Sequence, residues 1–149
     1  MSTLQNTITE AVKTAMKARE MDTVKILRGI QAVIKQVQID NQTELNDKGI
    51  LEILQKQTKQ RQESLEIYKA NGREDLAQKE QFEINVISQF LPAQLSEDKL
   101  ITIINETISE LSANSMKDMG RVMNAVKDKT AGQADPSVIS GLVKKALTP

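Results

Sequence analysis

Residues 23–40, TVKILRGIQAVIKQVQID, decide the fold class. Val24, Leu27, Ile30, Ile34 and Val37 recur at three- and four-residue steps, the spacing that lines one face of an α-helix, while Lys25, Arg28, Lys35 and Gln36 take the remaining sides. The same period extends outward. Upstream, Leu4, Ile8, Ala11, Val12 and Ala15 predict an amphipathic helix over residues 3–19 with Ser2 or Thr3 as its N-cap. The short join to residue 23 makes the two helices antiparallel neighbours. Gly29, inside the second stripe, reads as a point of close helix contact, bought at some cost in propensity.

Downstream, residues 40–49 are polar, and Asp47 is the candidate cap of a third helix that opens with Ile50, Ile53 and Leu54 and runs to about Ala70. Gln55 to Ser64 holds no apolar residue, so the middle of that helix is expected to be largely solvated. Leu65 and Tyr68 restore a stripe before Asn71-Gly72 supplies a left-handed helix end. Leu76, Ile84, Ile87 and Leu91 mark a fourth helix, stopped by Pro92. Ser96, followed by Glu97 and Asp98, caps a fifth carrying Leu100, Ile104, Ile108 and Leu111. A sixth starts near Met116 and ends before a turn at Gly132; Asp135-Pro136 opens the seventh. No alternating β-branched run competes with these helices. The expected fold is all-α: an N-terminal helical domain of long helices over residues 1–95 and a small C-terminal three-helix domain over residues 96–149.

Composition narrows the chemistry. The 149 residues include no Cys, His or Trp, which excludes a thiol nucleophile, an imidazole base and metal sites built from those ligands. Aromatics reach only 2%, namely Tyr68, Phe82 and Phe90, too few to stack bases or sugars broadly. No secretory leader is visible and no stretch approaches the roughly 20 apolar residues of a membrane span, so the expected location is cytoplasmic, away from membranes. Glu80 with Glu83, and Glu106 with Glu110, share helix faces but read as surface pairs rather than catalytic dyads. Met16, Met116, Met119 and Met123 read as core fillers. No cofactor, metal or catalytic residue is expected.

Charge offers two candidate surfaces. The chain balances 20 basic against 20 acidic residues, yet residues 116–149 carry six basic side chains, Lys117, Arg121, Lys127, Lys129, Lys144 and Lys145, against three acidic ones. Such side chains are the usual source of sequence-independent attraction to nucleic-acid phosphates. Lys56, Lys59 and Arg61, in the polar middle of the third helix, are the candidates for binding a protein partner.

Four blocks occur in a fixed order: Gln89-Phe-Leu-Pro-Ala-Gln-Leu-Ser96, Asp118-Met-Gly-Arg-Val-Met123, Lys129-Thr-Ala-Gly-Gln-Ala-Asp135, and Val143-Lys144. Together with Met16-Lys-Ala-Arg19, Lys59-Gln-Arg61 and Asn71-Gly-Arg-Glu-Asp-Leu76, they resemble the GatB/YqeY family, specifically its stand-alone YqeY-like members. The chain departs from that pattern at Phe90, where tyrosine is frequent, and at Pro136, where glycine is common. The resemblance implies a C-terminal unit similar to the tail of the tRNA-dependent amidotransferase B subunit, which helps hold tRNA. It also implies association with carbon-nitrogen ligase chemistry that uses glutamine as amide donor. The catalytic cradle of that subunit lies outside the tail, so catalysis by this chain alone is not expected. The leading expectation is an accessory protein that binds tRNA or a related structured RNA. The alternative is a module that docks on an amidotransferase or another translation partner.

Overall fold

A computed structural model describes residues 2–148, and among them the chain is all-helical, with no strand. The helices are α1 (Thr3–Lys17), α2 (Met21–Asn41), α3 (Asp47–Ala70), α4 (Glu74–Ser88), α5 (Glu97–Glu110), α6 (Met119–Lys129) and α7 (Pro136–Leu147), with a 3-10 turn at Met116–Asp118 leading into α6. They gather into two compact units, Met1–Pro92 and Ala93–Pro149. The division falls ahead of residue 96 because residues 93–95 are bonded to the α6–α7 turn. The Leu95 N–H donates to the Gln133 carbonyl at 2.9 Å, the Gln94 amide to the Gly132 carbonyl at 2.9 Å, and the Gln133 amide to the Ala93 carbonyl at 3.4 Å.

Local chemistry sets the helix starts. Ser2, Ser96 and Asp135 each accept a backbone N–H from the first turn they precede, those of Gln5, Lys99 and Ser137. The cap of α3 is Asn46, which accepts from the Gly49 N–H at 2.9 Å. Asp47, expected in that role, is the first helical residue instead, and its carboxylate accepts the Leu4 N–H of α1 at 3.0 Å. It therefore caps a helix 43 residues away in sequence.

Four helices end alike. After α1, α2, α3 and α5 a residue turns left-handed: Arg19 (φ 59°), Gln42 (φ 53°), Gly72 (φ 72°) and Ser112 (φ 53°). The next N–H then bonds back five residues, as from Glu20 to Ala15, Thr43 to Gln38, Arg73 to Tyr68 and Ala113 to Ile108. Only glycine adopts this geometry without a steric cost.

Each unit has its own apolar core. In the first, Ile8, Val24, Leu27, Ile34, Ile50, Leu54 and Ile87 are almost wholly buried. In the second, Leu100, Ile104, Val122, Val126, Ile139 and Val143 are. Each such side chain contributes about 1.5–3 kcal/mol, so the aliphatic stripes account for assembly with hardly any aromatic help. Met119 and Met123 pack on the second core, but Met16 and Met116 are exposed, contrary to expectation. Gly29 also differs from its reading. A Cβ placed there would meet nothing within 4 Å, so the glycine marks open space rather than a close contact, and costs α2 about 1 kcal/mol relative to alanine.

Candidate functional site

The second unit distributes its six basic side chains unequally. The Arg121 guanidinium donates to Asp118 at 2.8 Å and to the Leu111 carbonyl at 3.3 Å, pinning the loop that follows α5. That bond holds the Asp118 carboxyl below its ordinary range. The Lys129 ammonium donates to Glu110 at 2.8 Å and to the buried Thr107 hydroxyl at 3.0 Å, tying the end of α6 to α5. These two cations are engaged within the unit. Lys117, Lys144 and Lys145 are exposed and make no ion pair among the described residues.

Three of the basic positions belong to one end of the unit. The Thr148 hydroxyl, just past α7, lies 3.9 Å from the Met116 sulfur in the 3-10 turn, so the last turn of α7, with Lys144 and Lys145, sits beside the turn that carries Lys117. Lys127, half-buried, belongs to the opposite end of α6, ten residues or roughly 15 Å along a helical path from Lys117. The contact places the last turn of α7, which carries Lys144 and Lys145, at the same end of the unit as the turn that carries Lys117, while Lys127 and Lys129 lie toward the other end of α6. A simpler electrostatic role coexists, since Lys144 and Lys145 also complement the negative end of the α7 dipole.

In the first unit, Lys56 and Lys59 are exposed on α3, but Arg61 turns inward. Its Nε lies 2.7 Å from Glu83 Oε2 and 3.8 Å from Glu80 Oε2, both on α4. These three atoms are sealed from solvent, and the close approach is not aligned as a hydrogen bond. One guanidinium therefore serves two carboxylates. Desolvation pushes the Glu80 carboxyl up, opposed by Arg61 and reinforced by Glu83. Glu80, with its side chain only 14% exposed, is not the surface residue expected from its helix face. Nor is the middle of α3 simply solvated: Gln55, Gln57, Thr58, Arg61 and Ser64 are all half-buried. A sequence signal for the triad does exist. Arg61 and Glu83 each lie eleven residues from Gly72, so a hairpin folded about that glycine sets them opposite one another.

Beside the triad, α2, α3 and α4 enclose a cleft of about 780 Å³. Ile26, Ile30 and Val33 of α2 face Phe82 and Ile87 of α4 across it, with Arg61 and Glu83 in its wall. Among the described residues no group of acidic side chains is placed to hold a metal ion, and no helix is long and apolar enough to cross a membrane.

Seven helices in two units among the described residues define a class of small all-helical proteins. Residues 5–147 match the family described as YqeY-like protein, and the chain belongs to it, a family related to the C-terminal domain of the amidotransferase B subunit. The chain is 28% identical over 123 residues to "Altered inheritance of mitochondria protein 41, mitochondrial" of Pyrenophora tritici-repentis, covering 79% of this chain and 68% of the relative. Against an uncharacterized protein of Schizosaccharomyces pombe it is 30% identical over 93 residues, covering 62% and 76%. Against the like-named mitochondrial protein of Meyerozyma guilliermondii it is 38% identical over 89 residues, covering 58% of this chain and 45% of that longer one.

Proposed function

We propose that this YqeY-like protein is a cytoplasmic accessory factor that grips tRNA or a related structured RNA through phosphates, in association with tRNA-dependent amidotransfer and without making or breaking bonds itself. The carrying observation is that Lys117, Lys144 and Lys145 are exposed, make no ion pair among the described residues, and stand on two segments that meet at one end of the second unit. With no nearby aromatic platform, the attraction is coulombic and carries no base sequence information. Arg121 and Lys129, already engaged within the unit, are supports for this surface rather than contacts. Docking on an amidotransferase or another translation partner through Lys56, Lys59 and Arg61 is the weaker reading, because Arg61 is committed to Glu80 and Glu83.

Titration of a fluorescent tRNA at several salt concentrations tests the proposal. With about three phosphates engaged, log affinity falls against log salt with a slope of roughly −2 to −3. Lys144→Glu with Lys145→Glu weakens binding and flattens the slope. Lys127→Glu does so less, and Lys129→Glu reports mainly on folding. Absence of binding at low salt ends the RNA reading. Cell fractionation tests the location, since two of the relatives are named for mitochondria.

A further inference from the structure

Independently of the RNA reading, and in the other unit, we propose that the outer stripe of α2 docks an acidic amphipathic helix of a partner protein. Met21, Lys25, Arg28, Ala32, Lys35 and Ile39 follow at alternating four- and three-residue steps and all are exposed, away from the buried Val24, Leu27, Ile30 and Ile34. They form one column about 27 Å long, with the spacing of a seam between two packed helices. Its ends are apolar: Met21 is 59% exposed and Ile39 57%. Its middle is low, because Ala32 is small and Gly29, on the column's flank, has open space where a side chain would be. A second helix axis can approach to roughly 8–10 Å there, making from outside the close contact that Gly29 does not make within the chain.

Charge selects the partner. Between Asp22 and Asp40, α2 carries three cations, Lys25, Arg28 and Lys35, and no acidic residue. None of the three makes an ion pair among the described residues, and Arg28 donates to the Met16 sulfur of α1 at 3.5 Å instead. Asp22 and Asp40 stand near the two ends of α2, about 100° round the helix from Met21 and Ile39, and Asp40 already accepts from the Gln36 amide at 2.8 Å. Of the neighbouring charges, Glu10 of α1 is paired with Lys13 at 3.2 Å, Lys17 adds to the positive side, and Glu44 lines the hollow beside Lys35. The column itself is cationic between apolar ends, which calls for carboxylates flanked by aliphatic side chains at matching steps. RNA would engage the cations and leave Met21 and Ile39 in water. A bilayer covers a broad face, and an anionic one would press against Asp22 and Asp40.

The probe is a synthetic helical peptide with leucine and glutamate at these steps over an alanine and glutamine background, read by amide chemical shifts in the full chain. Saturable shifts centred on the α2 column are expected. The same peptide with lysine for glutamate, or with serine for leucine, binds at least about tenfold more weakly. Arg28→Glu with Lys35→Glu reverses the order: the acidic peptide weakens about tenfold and the lysine peptide becomes the tighter one. Ala32→Trp raises the middle of the column and weakens the acidic peptide while the far-ultraviolet circular dichroism stays native. Should Ala32→Trp misfold, Met21→Ser with Ile39→Ser, at two exposed positions, weakens it in its place. The proposal is overturned by non-saturating shifts, by the lysine or serine peptide matching the acidic one, or by a charge-reversed variant that keeps the original order. It is overturned equally by full affinity in folded Ala32→Trp or in the double serine variant, and by tRNA or phosphatidylserine vesicles shifting the column where the acidic peptide does not. Lys144→Glu with Lys145→Glu lies outside the column and leaves peptide binding unchanged, so either proposal can fail alone.

Discussion

At the α3–α4 seam a guanidinium meets two carboxylates through atoms shut off from water; at the α5–α6 seam an ammonium meets one exposed carboxylate and one buried hydroxyl. Both seams join neighbouring helices by charge, yet their energetics differ. The Lys129 ammonium has two aligned acceptors, and its Glu110 partner remains 61% exposed, so water shares the load and the pair adds little beyond fastening two helices. At Arg61 desolvation is larger and the alignment poorer. Such a group is costly to disturb even where it contributes little net stability, because removing one partner strands the others.

That contrast orders the expected effects. Arg61→Met leaves Glu80 and Glu83 facing each other without a counter-ion and should cost about 2–3 kcal/mol in urea unfolding, reduced from the fully buried case by its partial exposure. Replacing all three residues by methionine should recover most of that loss; a triple variant as unstable as Arg61→Met would show the seam to be a net stabiliser. Lys129→Met should cost about 1 kcal/mol, since Thr107 keeps its own bond to the Ile103 carbonyl and Glu110 reaches water.

Glu80 at the first seam and Asp118, paired with Arg121 ahead of α6, should respond oppositely to pH. Glu80, pushed up in the folded state, holds a proton that the unfolded chain has released, so its contribution falls as pH rises from the ordinary carboxylate range, about 4.3, through its raised value. Glu80→Gln should abolish that slope. Asp118, held down by Arg121, contributes stability that is present above the ordinary carboxylate range and lost as pH falls through its lowered value. Hydrogen exchange of α4 and α6 amides across pH 3–7, comparing Glu80→Gln and Asp118→Asn with the parent chain, separates the two; parallel slopes would remove the distinction. The smallest effect belongs to a helix end: Gln42→Gly should stabilise by a few tenths of a kcal/mol, the left-handed strain relieved being partly offset by glycine entropy in the unfolded chain.

The helices were legible because aliphatic spacing and short-range caps are local signals. Ser96 and Asp135 act where their side chains naturally reach. Asp47 misled because a carboxylate at a helix start satisfies either its own first turn or that of a neighbour, and sequence distance does not decide which. Gly72 announced its turn, whereas Arg19, Gln42 and Ser112 adopt the same left-handed geometry with side chains that carry no such signal. Gly29 was misread because a glycine marks absent atoms equally well at a tight contact and at an open cleft. The Arg61 triad occupies two helices and shares no period within either, so the only signal for it was the equal spacing of Arg61 and Glu83 about Gly72. The meeting of the end of α7 with the 3-10 turn is encoded by no pattern within either segment.

The clasp formed by residues 93–95 on the α6–α7 turn bears on how the second half can be cut out and handled alone. A fragment beginning at Ser96 discards the donors that hold the Gln133 and Gly132 carbonyls, leaving the hinge ahead of Asp135 unfastened. Starting at Ala93 retains it. Three residues that look like connecting thread are, by their bonding, the first fastening of the piece that follows.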